Sequence, residues 1–352
     1  MTSTASVPLA GAAGVAPAEL DWAAAEALLR AVPPNGRVLL ICHVNPDGDA
    51  LGSMLGFGLG LRQLGVREVQ ATFPGPPEVP EPFHGLPGLE LLVPADAADV
   101  APDLVICFDA ASESRLGELA GRLSSAGAAL VLDHHASNPG FGTVNLVDPG
   151  AAATSVVAEQ LLVRLGVVVD RAIAECLYVA LTTDTGSFRF AATTPAVHEM
   201  AARLLATGIS PGDISRRVFD TRPFGAVRLF GEVLGRAQLE PSAAGGRGLV
   251  WTFATLDDLA RHDQRPYVLE ALIDSVRCTA EADVGCVLKQ TTSGEWAVSM
   301  RSKGAVDVSR VAVALGGGGH TFAAGFTGRG TVEQVVESIR GQLDAALVRP
   351  AR

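Results

Sequence analysis

The sequence predicts an α/β protein built from two units, and two features of the chain carry that prediction. In the first half, short apolar runs alternate with longer stretches of helical spacing, which is typical of a parallel sheet covered by helices. In the second half, alternating strand-like runs followed by helices predict a smaller α/β domain with a mixed sheet. With 48% hydrophobic residues in a chain of 352, both halves have enough apolar side chains for a core.

Four strands and five helices are predicted in the first half. The first strand, 37–43, is a continuous apolar run that ends in a histidine, which indicates a buried strand. Segment 74–88 is rich in proline and glycine and is predicted to be a loop. The remaining strands are 67–73, 103–108 and 128–132, and the helices are 50–65, 114–126, 151–166, 171–183 and 195–207.

The composition changes after residue 207. Segment 208–236 begins with a stretch rich in glycine, serine and proline, which is typical of a loop. The rest of the segment has a polar face, so the whole segment is predicted to be a linker with helical content. Beyond it we expect strands at 248–253, 283–290 and 295–300, and helices at 308–315 and 332–347. The predicted domains are therefore 20–207 and 237–350, joined by the helical linker 208–236.

Charge and composition exclude several kinds of partner. The 38 acidic and 27 basic side chains give a net charge of −11, which argues against a basic surface that binds long duplex nucleic acid. Aromatic residues make up only 5% of the chain, so stacking platforms for long single strands are also few. Short nucleic acids and other small anions stay open as partners.

Nothing in the sequence predicts a membrane segment or secretion. The longest uncharged interior run, 311–328, is rich in glycine and contains a histidine, so it lacks the sustained apolar content of a membrane span. The five cysteines are odd in number and have no C-x-x-C spacing, which favours reduced thiols. We expect a cytoplasmic protein with no membrane partner.

Carboxylates and imidazoles gather where the predicted strands and one predicted helix end. Because the carboxyl ends of parallel strands form one edge of a sheet, side chains placed there can meet. Singly, each has an ordinary alternative, since an aspartate at such a junction is commonly an N-cap and adjacent histidines are commonly exposed. The coincidence of four clusters favours a site. The residues are His43, Asp47 and Asp49, then Asp109, then the triplet Asp133-His134-His135, and finally Asp184.

This supply of imidazole and carboxylate groups on separate segments suffices for two divalent cations. Because no thiolate takes part, Mn²⁺, Mg²⁺ or a related ion is favoured over a structural zinc ion. Carboxylates gathered in this number without cations would be destabilised by mutual repulsion and by desolvation. The clusters therefore predict a metal centre.

In order and spacing, these clusters resemble four motifs of the DHH phosphoesterases. The matching segments are the run His43-Val-Asn-Pro-Asp-Gly-Asp-Ala-Leu-Gly-Ser53, the isolated Asp109, the triplet at 133–135 and Thr183-Asp184-Thr185-Gly186. Downstream, Gly316-Gly-Gly-Gly-His320 resembles the glycine-rich signature of the DHH-associated C-terminal domain. The resemblance covers nearly the whole chain except the N-terminal tail.

The resemblance also implies roles for the clustered residues. Two divalent cations, Mn²⁺ first with Mg²⁺ or Co²⁺ as alternatives, would activate a water molecule near neutral pH. Asp109 and His135 would be the catalytic residues, with His135 stabilising the phosphoryl oxygen or protonating the leaving alkoxide. Asp133 would fix a histidine tautomer. The implied metal ligands are His43, Asp47 and Asp109 for one ion, and Asp49, the shared Asp109, His134 and Asp184 for the other.

In the same family, the second domain binds the nucleotide end of the substrate. A run of glycines lets backbone N–H groups approach an anion closely, and Arg301 adds a cation shortly before the run. Taken alone, such a run is commonly a flexible turn. The residues implied as substrate-binding are Arg301, Ser302, Gly318, Gly319 and His320.

Within the family, the length and the two domains resemble the compact group of nanoRNases and 3′-phosphoadenosine 5′-phosphate (pAp) phosphatases. This resemblance implies hydrolysis of short oligoribonucleotides such as pApA to mononucleotides, and of pAp to AMP. Within this class the alternative is a cyclic di-AMP phosphodiesterase, and outside it the alternative is a non-catalytic nucleotide-binding regulator. The family likeness further suggests a homodimer.

Overall fold

Residues 20–33 and 35–348 are described by a computed structural model, and two β-sheets organise them. None of the helices in these residues combines the length and the apolar content that crossing a bilayer requires. The strands are β1 (Arg37–Cys42), β2 (Glu68–Thr72), β3 (Leu104–Phe108), β4 (Ala128–Asp133), β5 (Val144–Val147), β6 (Gln238–Glu240), β7 (Leu249–Ala254), β8 (Val284–Thr292), β9 (Glu295–Ser302), β10 (Gly318–His320) and β11 (Ala323–Arg329). The α-helices are α1 (Trp22–Arg30), α2 (Gly48–Gln63), α3 (Gly121–Ser125), α4 (Thr154–Arg164), α5 (Arg171–Asp184), α6 (Pro195–Leu205), α7 (Pro211–Val218), α8 (Phe224–Gly235), α9 (Ala243–Gly246), α10 (Leu256–Arg261), α11 (Leu272–Val276), α12 (Val308–Ala314) and α13 (Val332–Leu343).

The first sheet is parallel, with the strand order β2-β1-β3-β4-β5. Successive side chains of β1 enter opposite faces, since Val38 and Leu40 belong to one apolar cluster and Leu39 and Ile41 to another. Because both faces are covered, the central strands are apolar throughout. The predicted parallel sheet is confirmed. The sequence does not predict β5, whose four residues are too few to give a periodic signal.

Helices α2 and α5 pack closely over a row of small residues. A Cβ atom added at Gly52 would overlap the Cys176 carbonyl oxygen, and one added at Gly48 would overlap the Thr183 side chain. Since neither position has room for a side chain, the glycines let the first turn of α2 approach the last turn of α5. This approach brings the aspartates at those two helix ends together.

The second sheet is mixed, with the strand order β10-β11-β9-β8-β7-β6. Strands β7 and β8 pair in parallel, whereas the other neighbouring pairs are antiparallel. The mixed sheet expected from the sequence is confirmed, and β6, β10 and β11 add to the three strands that the sequence predicts. Strand β10 takes up the end of the glycine run.

Segment 208–236, predicted as a linker, contains α7 and α8. Helix α8 buries Ala226, Leu229 and Val233 in one apolar cluster with Val250 of β7 and Leu272 of α11. It therefore covers the second sheet. The predicted domain boundaries stay predictions, and we propose on this packing that the second domain begins at the start of α8.

Two predicted helices differ from the structure. Segment 114–126 is a 3₁₀ helix, Glu113–Leu119, followed by the short α3, because Gly117 takes φ +50° and breaks the helical path. The predicted helix 332–347 ends at Leu343 and continues as a 3₁₀ turn.

The sequence does not predict α1, although Asp21 caps it by accepting from the Ala24 N–H at 2.9 Å.

The loop between β2 and β3 contacts the second half of the chain. The Tyr267 hydroxyl donates to the Glu81 carboxylate at 2.7 Å, and the Arg265 guanidinium lies 3.2 Å from the Glu78 carboxylate. Both contacts lie at the surface, so each contributes little stability alone. They nevertheless join the two halves of the chain.

Gly52→Ala is expected to destabilise the protein by about 1–3 kcal/mol, because the added methyl group overlaps a backbone carbonyl that moves only if α5 moves. Gly231→Ala in α8 is the matched control. Its Cβ atom meets nothing within 4 Å, so it should stabilise by about 0.5–1 kcal/mol through helix propensity. Urea unfolding followed by circular dichroism measures both, and equal midpoints would contradict this packing.

Candidate metal centre

Three neighbouring strands of the first sheet place polar residues at one edge. Strands β1, β3 and β4 are adjacent and parallel, so their carboxyl ends lie side by side. His43 follows β1, Asp109 follows β3, and Asp133-His134-His135 closes β4. Asp109 has φ +54°, a left-handed conformation that aspartate tolerates better than most residues. These five residues therefore share one edge of the sheet.

Asp47 and Asp49 lie at the start of α2. Asp47 caps the helix by accepting from two backbone N–H groups of its first turn at 3.1 Å. Asp49 is fully buried and accepts from the backbone N–H groups of Thr154 and Ser155 at 2.6 and 3.1 Å, and from the Ser53 hydroxyl at 2.9 Å. Asp49 thus occupies the N-terminal end of α4, which has no side-chain cap of its own. Capping accounts for part of the role of both aspartates.

Two histidines present Nε2 to the carboxylates. Nδ1 of His43 lies 2.9 Å from the Val44 carbonyl oxygen, and Nδ1 of His134 lies 3.3 Å from the Ala151 carbonyl oxygen. Since a carbonyl only accepts, these contacts favour a hydrogen on each Nδ1 and a lone pair on Nε2 of the neutral ring. At His43 the Arg115 guanidinium, a donor, lies 3.2 Å from the same Nδ1 and favours the other tautomer. Metal-ligating histidines commonly adopt this orientation.

Asp109 lies at the centre of the cluster. Its Oδ2 is 3.4 Å from His43 Nε2, and its Oδ1 is 3.5 Å from His134 Nε2. Asp184 and Asp49 approach the same His134 nitrogen at 3.2 and 3.8 Å. Asp109 is therefore the residue positioned to be shared. Two groups, each with ligand atoms within 4.8 Å of one another, are His43, Asp47 and Asp109, and Asp49, His134 and Asp184.

Burial changes the protonation of the cluster strongly. Burial, reinforced by the charge of Asp109, raises the pKa of Asp49 well above its usual range and that of Asp184 to about 6. Burial also opposes the charged form of His43, but hydrogen bonds with Asp109 and Asp47 raise its pKa to about 10. Protons on the imidazoles thus balance part of the carboxylate charge, and a divalent cation would release them on binding.

His135 is oriented by Asp133. Its Nδ1 lies 2.8 Å from Asp133 Oδ1, while Asp133 Oδ2 accepts from Asn138 Nδ2 at 2.6 Å. With Nδ1 engaged by a carboxylate, the lone pair of the neutral ring lies on Nε2. Burial opposes the charged ring, but the hydrogen bond with Asp133 outweighs it and raises the pKa of His135. The ring can therefore hold a proton near neutral pH.

His320 reaches the site from the second sheet, at the end of β10. Its ring stacks on His135 with the centroids 4.8 Å apart and the planes at 21°, and it lies 4.7 Å from the His134 ring. Burial, with the neighbouring imidazoles, lowers the pKa of His320 to about 3, so the ring is neutral. Its Nε2 is buried without a hydrogen-bond partner among the described residues, which costs about 1–3 kcal/mol unless a ligand atom pairs with it.

Arg301 and Ser302 end β9 in different surroundings. Nη1 of Arg301 donates to the Met300 carbonyl at 3.1 Å, while its buried Nε has no partner in the described part of the chain. The Ser302 hydroxyl donates to the Asp283 carboxylate at 2.9 Å. Arg301 therefore keeps a donor for a ligand, whereas Ser302 holds a turn of its own domain.

Close packing of β10 on β11 accounts for part of the glycine run. A Cβ atom at Gly317 would overlap the Gly325 carbonyl oxygen, and Gly319 has φ +136°. Gly318 instead faces the loop after β4, where its Cβ position would lie 3.7 Å from Ser137 Oγ. The use of these glycines in binding an anion stays a prediction.

The sequence does not single out Thr154 or Arg277. Thr154, the first residue of α4, donates its hydroxyl to Asp109 Oδ1 at 3.0 Å. The predicted helix 151–166 begins three residues before α4 does. The prediction therefore does not place Thr154 at the start of a helix. Arg277 lies over the Phe190 ring at 4.9 Å and so links the two halves near the site. A lone arginine in a short turn carries no periodic signal.

The donor chemistry fits hard or borderline divalent cations. In the residues that the structure describes, both ligand groups offer carboxylate oxygens and imidazole nitrogens without a thiolate, a set that suits Mn²⁺, Mg²⁺ and related ions. The six residues predicted as ligands lie together around Asp109. Their assignment as ligands stays a proposal.

Comparison with known families gives two matches. The model of the DHH family, N-terminal domain, matches residues 37–181, and the model of the DHHA1 domain matches residues 252–348. The first range holds the cluster from His43 to His135 and ends just before Asp184, and the second holds Arg301 and His320. The two matches therefore cover both sides of the candidate site.

Similar proteins span almost the whole chain. The bifunctional oligoribonuclease and PAP phosphatase NrnA of Thermus thermophilus is 33% identical over 332 residues, which cover 91% of this chain and 93% of the relative. The protein of the same name from Bacillus subtilis is 26% identical over 304 residues, covering 85% and 91%. A solved exopolyphosphatase-related protein from Bacteroides fragilis superposes with a TM-score of 0.81 at 24% identity, covering 94% and 97%. That likeness shows the same fold.

Asp184→Asn is expected to raise the melting temperature of the metal-free protein and to weaken its stabilisation by Mn²⁺. Burial and neighbouring carboxylates disfavour the charged form of Asp184, whereas a cation requires it. Differential scanning fluorimetry with a chelator and with Mn²⁺ measures both effects. Asp96→Asn, at an exposed position, is the control and should change neither. Undiminished stabilisation of Asp184→Asn by Mn²⁺ would remove Asp184 from the ligands.

Proposed function

The chain belongs to the DHH family, and we propose that it is a metal-dependent phosphoesterase acting on short phosphorylated nucleotides. It hydrolyses short oligoribonucleotides such as pApA to mononucleotides, and it converts pAp to AMP. The observation that carries this proposal is the buried cluster of imidazoles and carboxylates, which His320 closes from the second sheet. The names of the Thermus and Bacillus relatives support the substrate class.

Two divalent cations are part of the proposal, with Mn²⁺ favoured and Mg²⁺ or Co²⁺ as alternatives. When bound, the cations supply Lewis acidity toward the phosphoryl group and lower the pKa of water. The protein fixes their ligands beforehand, since backbone carbonyls orient both ligand imidazoles and the start of α4 holds one aspartate. The proposed ligands are His43, Asp47 and Asp109 for one ion, and Asp49, Asp109, His134 and Asp184 for the other.

His135 is the proposed proton donor to the leaving group. Because Asp133 engages Nδ1, Nε2 is the nitrogen free to donate a proton to a departing ribose alkoxide. The raised pKa of His135 keeps part of the population protonated near neutral pH. Asp109 is the second proposed catalytic residue, since its two oxygens reach both ligand groups.

The second sheet is proposed to hold the nucleotide and its phosphate. Two of its buried nitrogens, His320 Nε2 and Arg301 Nε, lack a partner within the described residues, so a bound phosphate oxygen would satisfy the arginine donor and, with the neutral ring protonated at Nε2, the imidazole donor too. Gly318 and Gly319 border the same place and can offer backbone N–H groups. Ser302 is left out of this proposal, because its hydroxyl donates to Asp283 and its backbone N–H donates to the Phe322 carbonyl oxygen.

The proposed partners are small. Short RNA and phosphorylated nucleotides suit a site to which both halves of one chain contribute, and the net charge of −11 opposes long duplexes. A homodimer and a cytoplasmic location belong to the same proposal. Each proposed ligand position holds an aspartate or a histidine, which favours catalysis over the alternative of a non-catalytic regulator. Cyclic di-AMP stays an alternative substrate.

Release of AMP from pApA and from pAp in the presence of Mn²⁺ tests the proposed function. A parallel panel with cyclic di-AMP and di- to tetranucleotides ranks the substrates, and rates within about tenfold would show a generalist, since that is only about 1.4 kcal/mol of barrier. Metal binding without turnover of any of these substrates would favour the regulator.

His135→Ala is expected to lower kcat on pApA by about 10²–10⁴, because the leaving alkoxide loses its proton donor. Metal stoichiometry, measured by equilibrium dialysis with Mn²⁺, should not change. His84→Ala, at an exposed position in the loop between β2 and β3, is the control and should retain kcat. Loss of bound metal in His135→Ala would instead make His135 a ligand.

Arg301→Met is expected to raise KM for pAp by about tenfold or more, because a charged hydrogen-bond donor to the phosphate is lost. Arg329→Met, whose side chain is 82% exposed, is the matched control and should leave KM unchanged. Steady-state kinetics of both variants measure KM for pAp. An unchanged KM for Arg301→Met would place Arg301 outside the substrate site.

A further inference from the structure

Thr154 contacts carboxylates of both proposed ligand sets. Its hydroxyl donates to Asp109 Oδ1 at 3.0 Å, and its backbone N–H donates to Asp49 Oδ2 at 2.6 Å. The residue is fully buried, so bulk water cannot replace either contact. Because Asp109 belongs to both sets and Asp49 to the second, one residue at the start of α4 touches oxygens proposed to face both cations.

The hydroxyl of Thr154 does not serve the helix that the residue begins. A threonine at a helix start commonly caps the helix by accepting from a backbone N–H group of its first turn. In α4 the cap position holds Ala153, and the Asp49 carboxylate takes the first N–H groups instead. The hydroxyl turns to Asp109, on a different element, so capping does not account for it.

The Thr154 hydroxyl is the donor that can hold the Asp109 carboxylate when cations are bound. Nε2 of His43 and Nε2 of His134 lie 3.4 and 3.5 Å from this carboxylate. In their proposed role as ligands, both nitrogens give their lone pairs to cations and carry no hydrogen for Asp109. Among the described residues, the Thr154 hydroxyl then remains as the hydrogen-bond donor. A donor prefers to lie near the plane of a carboxylate, so this contact fixes that plane.

We propose that Thr154 is the positioning residue of the metal centre, and that its hydroxyl keeps one oxygen of Asp109 directed at each ligand set. This role rests on the proposed metal-dependent function and deepens it. Hydrogen bonds that orient metal ligands commonly contribute about 10–100-fold to metal affinity. Because Asp109 belongs to both sets, loss of the hydroxyl should weaken the binding of both cations.

Substitutions of Thr154 isolate the hydroxyl, because each keeps the backbone N–H that donates to Asp49. Thr154→Val replaces the hydroxyl by a methyl group and should lower Mn²⁺ affinity by about 10–100-fold in equilibrium dialysis. Thr154→Ala, which adds no methyl group, should do the same. Thr154→Ser keeps the hydroxyl and should restore most of the affinity. Melting temperatures in a chelator identify the variants that fold.

Thr252→Val is the matched control. Thr252 is also fully buried, but its hydroxyl donates to the Val233 carbonyl at 2.5 Å in the second half of the chain. Its loss should lower the melting temperature and leave Mn²⁺ affinity unchanged. Wild-type affinity in Thr154→Val and Thr154→Ala, or a loss in Thr154→Ser as large as theirs, would overturn the role of Thr154.

Activity separates positioning from chemistry. At saturating Mn²⁺, kcat of Thr154→Val on pApA should approach the wild-type value, since bound cations then orient Asp109 themselves. A kcat that stays low at saturating Mn²⁺ would place the hydroxyl in the reaction and contradict positioning. Loss of Mn²⁺ affinity that Thr154→Ser restores, in a protein that hydrolyses none of the substrates, would sink the proposed hydrolysis and leave the role of Thr154 standing.

Discussion

The structure depends on holding several carboxylates together in a buried place. Asp49, Asp109 and Asp184 surround one nitrogen of His134 at distances up to 3.8 Å, and the first two are almost closed to solvent. Like charges this close repel strongly where the dielectric constant is low. Three of the elements at the sheet edge bring compensation. The start of α4 donates N–H groups to Asp49, and an imidazole follows each of β1 and β4.

The distances within the cluster are set by packing that lies outside it. Strand β3 pairs with both β1 and β4, so a slip in either register would carry a ligand away from Asp109. Asp184 comes from a helix, and its position depends on how closely α5 approaches α2 across Gly48 and Gly52. The apolar interior thus decides where the charges meet. This explains why residues 43 and 184, far apart in sequence, can serve one centre.

Much of the first sheet and of its polar edge could be predicted, because the signal there is local. His43 and Asp109 each stand directly after an apolar run, and the order of the motifs resembles a family that the comparisons confirm. The strands of the second sheet are harder to predict from the sequence, because β10 lies in a glycine run without apolar periodicity. The stacking of His320 on His135 has no local signal at all, because the packing of the two halves creates it. No sequence signal distinguishes Thr154, because many helices contain a threonine.

The position of His320 sets a condition on how a substrate enters. Its ring lies 4.8 Å from that of His135, which leaves no room for a phosphate group between them. A phosphate that meets both rings must therefore approach their edges rather than lie between their faces. No buried apolar cluster of the described residues includes strands of both sheets. The polar contacts between the halves include Tyr267 with Glu81, Arg265 with Glu78 and Arg277 over Phe190. Contacts of this kind break at low cost, whereas a large apolar interface would resist opening. These contacts therefore add little to the stability of the junction between the two halves.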